Sequence, residues 1–256
     1  MKQTQLCEAI KILLFIHGDK GGNGKSTLSA LATDFAVEQF GKVAVVEGDA
    51  KINDVARRFA GVPGVAGYLV DLARQDASED AAVRLFEELE KSGAAHVIIN
   101  TPASASSTLD AQADLILPAA RDLGYRIVVG WMIGADEDSA RLAGESRLCQ
   151  EADRRVAVIN ERFGTLDKLI WNRHPAREAW LASGGLEATL PELTARVADV
   201  VRQHPGRISA LTKTESGLPV ITRTVIKRWV NAAWTGPCAA MFGNSTTEEE
   251  KAYGQK

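Results

Sequence analysis

An apolar run, Lys11–His17 (KILLFIH), leads directly into a glycine-rich loop, Gly18–Thr27 (GDKGGNGKST), and then into a stretch with helical apolar spacing. No other feature of the chain restricts its fold as much. A short run without polar interruption is a strand buried on both faces, as in a parallel sheet. Beyond the loop, Leu28, Leu31, Ala32, Phe35 and Ala36 recur at i, i+3, i+4 and i+7, which predicts an amphipathic helix ending near Gly41. Strand, glycine loop and helix in this order form a cradle for a polyphosphate. Gly21, Gly22 and Gly24 permit left-handed backbone and close approach, so that N–H groups can converge on an anion. The helix directs its N-terminal dipole at the same point. Lys25 is placed to reach the β- and γ-phosphates, Ser26 to offer a hydroxyl to Mg²⁺, and Asn23 and Thr27 complete the loop. The pattern G-x-x-x-x-G-K-[ST] is missed by one residue, because its first glycine falls on Asp19.

Further runs at Lys42–Glu47, His96–Asn100, Arg126–Met132 and Arg155–Asn160 bring the strands to about five, with helical stretches such as Glu79–Lys91 and Glu137–Gln150 between them. Alternation of this kind predicts an α/β fold with a doubly wound, mostly parallel sheet. Leu109–Leu123 reads as a helix interrupted at Pro118, in preference to a strand at Leu115–Leu117. From about Trp171 the pattern turns mainly helical, with helices expected over Pro175–Ala182, Pro191–Gln203 and Val220–Trp234. A single domain over residues 1–245 is expected, followed by a disordered polar tail over 246–256 that carries Glu248–Glu250.

A formal charge of −3 gives no global reason to bind nucleic acid or an acidic membrane. Three scattered cysteines, Cys7, Cys149 and Cys238, argue against a disulfide framework or a zinc site. No apolar run has the length of a membrane span, and Ile12–Ile16 is too short for a signal-peptide core, so a cytoplasmic protein is expected.

The lysine directly before the glycine pair, Lys20 in KGGNGKS, resembles the deviant phosphate loop of the ParA/MinD ATPases. The resemblance implies that ATP and Mg²⁺ bind at the loop. It also implies that Lys20 reaches the partner's phosphates in an ATP-bound homodimer. A second cation there would offset the charge of two triphosphates brought close together. Glu47-Gly48-Asp49 matches the paired carboxylates of the family, with Glu47 in place of the usual aspartate. Asp49 is then the residue that positions Mg²⁺ and the attacking water. Read without the family, Asp49 is also a candidate N-cap for a helix over Ile52–Phe59. Asn100-Thr101-Pro102 stands where the family has D-T-P. Asn100 keeps a hydrogen-bonding oxygen near the metal but loses the charge, which implies slow hydrolysis or none. Asn160 matches the asparagine that contacts adenine, and by its residue type it is equally a strand terminator.

The resemblance covers roughly the first 165 residues. Three features, the GDKGG loop, Asn100 and the strand holding Trp131, are similar to the plasmid-borne StbB/MobD-like branch concerned with stability and mobilisation. That branch implies a plasmid-encoded DNA-binding or relaxosome partner. Arg223, Lys227 and Arg228, with Trp229 and Trp234 nearby, form a candidate patch for non-specific DNA. They serve equally as the solvated face of a helix whose tryptophans pack inward. The acidic tail argues against membrane targeting. A metabolic ATP-dependent ligase and a non-hydrolysing nucleotide sensor are the competing functions. The cysteine positions do not suit an iron–sulfur reductase, nor does the lone Tyr253 of the tail suit a tyrosine kinase.

Overall fold

The computed structural model describes residues 10–49, 52–73, 78–103 and 105–243. Seven strands, β1 (Lys11–His17), β2 (Val43–Glu47), β3 (Val65–Leu69), β4 (His96–Asn100), β5 (Tyr125–Ile133), β6 (Arg154–Asn160) and β7 (Leu186–Leu190), form one sheet in the order β3-β2-β4-β1-β5-β6-β7. Every neighbouring pair is parallel. The chain winds outward from β1 in both directions, so the carboxyl end of β1 is the switch point where such sheets bind ligands.

Both faces of the sheet are covered. Leu13 and Phe15 point into a core built with α3 (Ser78–Ser92), α4 (Ser106–Ala111), α5 (Ala113–Asp122), α6 (Glu137–Glu145) and α8 (Pro175–Ala182). Ile12, Leu14 and Ile16 point the other way, into a core shared with α1 (Lys25–Phe40), α9 (Ala195–Gln203), α10 (Val220–Ala233) and α11 (Ala239–Phe242). This division follows from the two-residue period of a strand, and it explains why β1 has no polar face.

α1 is buried around most of its surface, because the C-terminal helices pack over the side that the sheet leaves free. A buried acid fixes this cover. Asp34, wholly inaccessible on α1, accepts hydrogen bonds from Arg207 Nε (2.6 Å), Ser209 N (2.6 Å) and Ser209 Oγ (2.9 Å).

The five expected strands are present, and β3 and β7 are additions at the two sheet edges. Each has a single neighbour and few buried side chains, with a glycine inside VAGYL and a glutamate inside LEATL, so neither makes a continuous apolar run. The C-terminal part is therefore not wholly helical. Its expected helix from Pro191 begins only at Ala195. Glu137–Gln150 divides at Ser146, whose extended backbone separates α6 from α7 (Arg147–Glu151) and whose hydroxyl caps Cys149 N at 3.3 Å. Leu109–Leu123 is helical as expected, but the interruption falls at Gln112 and not at Pro118, which lies inside α5. No helix among the described residues is long and apolar enough to cross a membrane. Cys7 and the expected tail over 246–256 lie outside the described residues.

Candidate functional site

Parallel register brings three strand ends together: Glu47 lies opposite Asn100, and Asn100 opposite Ile16. Gly48 completes this junction. Its N–H donates to Asn100 O at 2.9 Å, and a Cβ there would come within 2.8 Å of that same oxygen. The middle residue of Glu47-Gly48-Asp49 is thus glycine because two strand ends touch.

The loop that follows β1 takes the left-handed conformation at Gly22 (φ 79°) and Gly24 (φ 97°). Nothing lies within 4 Å of a Cβ built on Gly21 or Gly22, so the outer face of the loop is open to a ligand. Gly24 is confined as well as left-handed, since a Cβ there would meet Asn160 Nδ2 at 2.6 Å. Lys25 opens α1 and bends back over the loop, with Nζ donating to Gly18 O (2.6 Å) and Lys20 O (2.8 Å). Burial pulls its ammonium down to about 8, against a smaller opposing effect from Asp19. It is still a cation at neutral pH. The buried Nδ2 of Asn23 has no hydrogen-bond partner among the described residues, which leaves a donor open at the loop. Open glycine backbone, a cation folded over it, an unmatched donor and a helix N-terminus together fit a polyphosphate.

Beside the loop is a cleft of about 350 Å³ lined by Asp19, Ser106, Asp110, Glu145 and Ser146 among others. Its carboxylates make it hostile to phosphate, so an anion belongs on the loop's own N–H groups.

Lys20 is about half exposed and pairs with Asp138 of α6 at 3.1 Å. That hydrogen bond, more than any other effect, raises the lysine pKa. Asp138 gave no signal in the sequence, because it lies in an ordinary acidic first turn of a helix.

Asp49 is half-buried at the loop after β2, and its Oδ1 accepts from Ile52 N at 3.2 Å. It does not cap the next helix, α2 (Asp54–Arg58), which is shorter than expected. Glu47 serves that helix instead, with Oε2 accepting from Val55 N at 3.0 Å. Glu47 is fully buried, and burial raises its carboxyl to about 6 in spite of its hydrogen bonds with Asn100 and the backbone.

Asn100 joins Glu47 to the loop. Its Nδ2 donates to Glu47 Oε1 at 2.6 Å and lies 3.4 Å from Ser26 Oγ, while its Oδ1 accepts from Ser29 Oγ at 3.0 Å. Asn160 is buried at the end of β6; its Nδ2 donates to Asn23 O (2.9 Å) and its Oδ1 accepts from Arg162 N (3.2 Å). It braces the loop from the side, a role its strand-terminating position did not reveal.

His17 is a further site residue that sequence reasoning passed over as part of an apolar run. Its Nδ1 is 3.0 Å from Thr101 Oγ1, and that hydroxyl donates its own proton to Ile16 O at 2.9 Å. Nδ1 therefore carries the hydrogen. Burial, with the Lys25 charge second, pulls His17 down to about 3, so it stays neutral and ties β1 to the segment after β4.

The basic residues of α10 lie apart from this site. Lys227 and Arg228 are exposed, and Arg223 Nη1 donates to Thr214 Oγ1 at 2.8 Å. Trp229 is buried and donates to Pro191 O at 2.7 Å, so it gives the patch no aromatic edge, while Trp234 is half-buried and packs edge-on against Phe35.

No protein-family model matches the chain. Among solved structures, a chain of the MinC:MinD cell division protein complex of Aquifex aeolicus superposes with a TM-score of 0.51 at 12% identity, covering 93% of this chain and 98% of that one. The septum site-determining protein MinD of Pyrococcus horikoshii OT3, solved with Mg-ADP, gives a TM-score of 0.49 at 14% identity, covering 93% and 97%. The seven-stranded parallel sheet with its glycine loop at the switch point is a MinD-like P-loop NTPase fold with a C-terminal part rich in helices. Among curated proteins, MobD of Acidithiobacillus ferrooxidans is 27% identical over 225 residues, which are 87% of this chain and 95% of that protein. The chain thus shares the fold of MinD and is similar in sequence to MobD.

Proposed function

We propose that this chain binds ATP with Mg²⁺ at Gly21–Thr27, dimerises on the nucleotide and hydrolyses it slowly, as a switch in plasmid partition or stability or in conjugal mobilisation. The observation that carries the reading is the loop itself: left-handed Gly22 and Gly24 with the Lys25 ammonium folded over them at the start of a buried helix. Lys25 and the loop N–H groups would hold the phosphates, and Asn160 stands beside the loop as the candidate contact for the base. Ser26 and Asp49 would hold the cation, whose chemistry is to neutralise charge developing on the transferred phosphoryl group. Lys20, exposed on the outer edge of the loop, is the residue available to a second copy.

Kinship with MobD favours mobilisation over a metabolic ligase, and it points to a plasmid-encoded DNA-binding or relaxosome partner. Arg223, Lys227 and Arg228 are the proposed contacts to non-specific DNA. One domain over residues 1–245, acting in the cytoplasm, completes the reading. A non-hydrolysing sensor is the second reading, favoured by the amide at position 100. Light scattering with ATP and with ADP tests the switch: the expected result is a dimer with ATP and a monomer with ADP, and a monomer at saturating ATP would overturn it.

A further inference from the structure

The amide of Asn100 is held in one orientation. Glu47 Oε1, at 2.6 Å, is a carboxylate oxygen and only accepts, so the atom facing it must be the NH₂ group. The opposite face is consistent, since Oδ1 accepts from the Ser29 hydroxyl. Turning the amide over would set a carbonyl oxygen against a carboxylate in a buried place. Glu47 is itself fixed, because its second oxygen accepts from Val55 N. As a result the edge of Asn100 turned towards Ser26 Oγ, 3.4 Å away, is a donor edge. A divalent cation, or a water held on one, requires an acceptor. Asn100 was expected to keep an oxygen near the metal, and its geometry does not fit that role.

We infer that Glu47 is a positioning residue that fixes Asn100 with its donor edge towards the phosphate loop, and that this pair weakens the coupling of nucleotide binding to the divalent cation, which keeps only Ser26 and Asp49 as its holders. The inference rests on the nucleotide reading of the loop, but the pair itself does not. Glu47 and Asn100 are a carboxylate–amide pair with its polarity set in one direction. Asn100→Asp alone would place two carboxylates at the 2.6 Å contact. Glu47→Gln alone would release the amide, because Asn100 can then turn over, its Oδ1 accepting from the new NH₂ and its own NH₂ donating to the Ser29 hydroxyl. Glu47→Gln with Asn100→Asp reverses the polarity. The new amide at position 47 can then donate to residue 100 and accept from Val55 N, and the carboxylate at position 100 turns an acceptor towards Ser26.

Two measurements on the full chain test this. The first is thermal melting of the four proteins at neutral pH without nucleotide. Asn100→Asp is expected to melt below the parent, and the double variant above Asn100→Asp. An Asn100→Asp protein as stable as the parent, or a double variant no better than Asn100→Asp, overturns the pairing. The second is ATP binding by titration calorimetry in Mg²⁺ and in EDTA. The parent is expected to change affinity by less than about threefold and the double variant by more than about tenfold. A parent whose affinity rises about tenfold or more with Mg²⁺ overturns the weakened coupling. A parent that binds no ATP in either buffer overturns the nucleotide reading and the weakened coupling with it, while the melting comparison still decides the pair.

Discussion

Asp34→Ala tests whether the C-terminal cover is fixed to the phosphate-loop helix by one buried acid. The Asp34 carboxylate is wholly inaccessible and receives three hydrogen bonds, two of them from the single residue Ser209. Its removal leaves Ser209 N–H and the Arg207 guanidinium facing a small cavity. Removing one member of a buried ion pair costs about 3–5 kcal/mol, chiefly because the other is left uncompensated. Arg207 is about one-quarter exposed and keeps Glu38 as a partner, which argues for the lower end of that range, about 3 kcal/mol. In a chain of this size that corresponds to a fall in Tm of about 6–12 °C. Urea unfolding followed by circular dichroism would show a lower midpoint with an unchanged slope. Glu38→Gln is the control: it removes a half-exposed partner of the same arginine and is expected to cost about 0.5 kcal/mol. A loss below about 1 kcal/mol for Asp34→Ala, or equal losses for the two variants, would refute the argument that burial gives this contact its weight.

Four further outcomes follow from the structure. Gly24→Ala forces a side chain into left-handed backbone, at about 1–2 kcal/mol, and drives its Cβ onto Asn160, so it should melt lower and lose ATP affinity. Gly21→Ala, which meets nothing within 4 Å, should melt like the parent in the same assay. Lys20→Gln should bind ATP in calorimetry yet stay monomeric in light scattering, and a dimer would remove Lys20 from the proposed switch. The two buried imidazoles set an acid limit, because His17 is held down at about 3 and His96, which stacks on Phe40, at about 4. Both are neutral when folded and take a proton when unfolded, so their stabilisation is complete above about pH 6.5 and is lost as pH falls. The raised carboxyl of Glu47 works in the opposite sense between about 6 and its usual value, but it is one group against two. Urea midpoints measured downward from neutral pH should fall, and His96→Gln should flatten that fall.

The glycine loop and the central strands were legible because each depends on local chemistry. Glycine at positions 22 and 24 answers a backbone requirement, and β1, β2, β4, β5 and β6 are apolar through their interiors because they are covered on both faces. β3 and β7 were not legible, since an edge strand has one neighbour and less need of apolar side chains. Among site residues, Glu47 was recognised as a departure from an aspartate, but its work could not be read. That work depends on β2 lying beside β4 and on α2 starting within reach of its second oxygen. Asp138 and His17 were missed for the same reason. An acidic helix start and a histidine ending an apolar run have common local explanations, and only the sheet order brings them to the loop.

The two lysines of the site and its asparagines at 100 and 160 already have partners within the chain, and the nature of each partner decides which of them a phosphate could displace. Lys25 is held by two neutral carbonyl oxygens. An anionic phosphate is a stronger acceptor for an ammonium than a carbonyl, by roughly twofold in hydrogen-bond strength. Lys25 is therefore free to exchange. Lys20 is paired with a carboxylate, but at a half-exposed position where water weakens the pair, so it too can be drawn away by a more highly charged anion. Asn100 and Asn160 differ from both. Asn100 is joined to a buried carboxylate, and the Asn160 side chain is wedged against Gly24 and the Asn23 carbonyl. Displacing either would leave a buried polar group unmatched. Under the proposed function, the two lysines are the responsive parts of the loop and the two asparagines its fixed frame. The same division explains why the polarity of the Glu47–Asn100 pair should tune the response to a cation without altering how the loop receives phosphate.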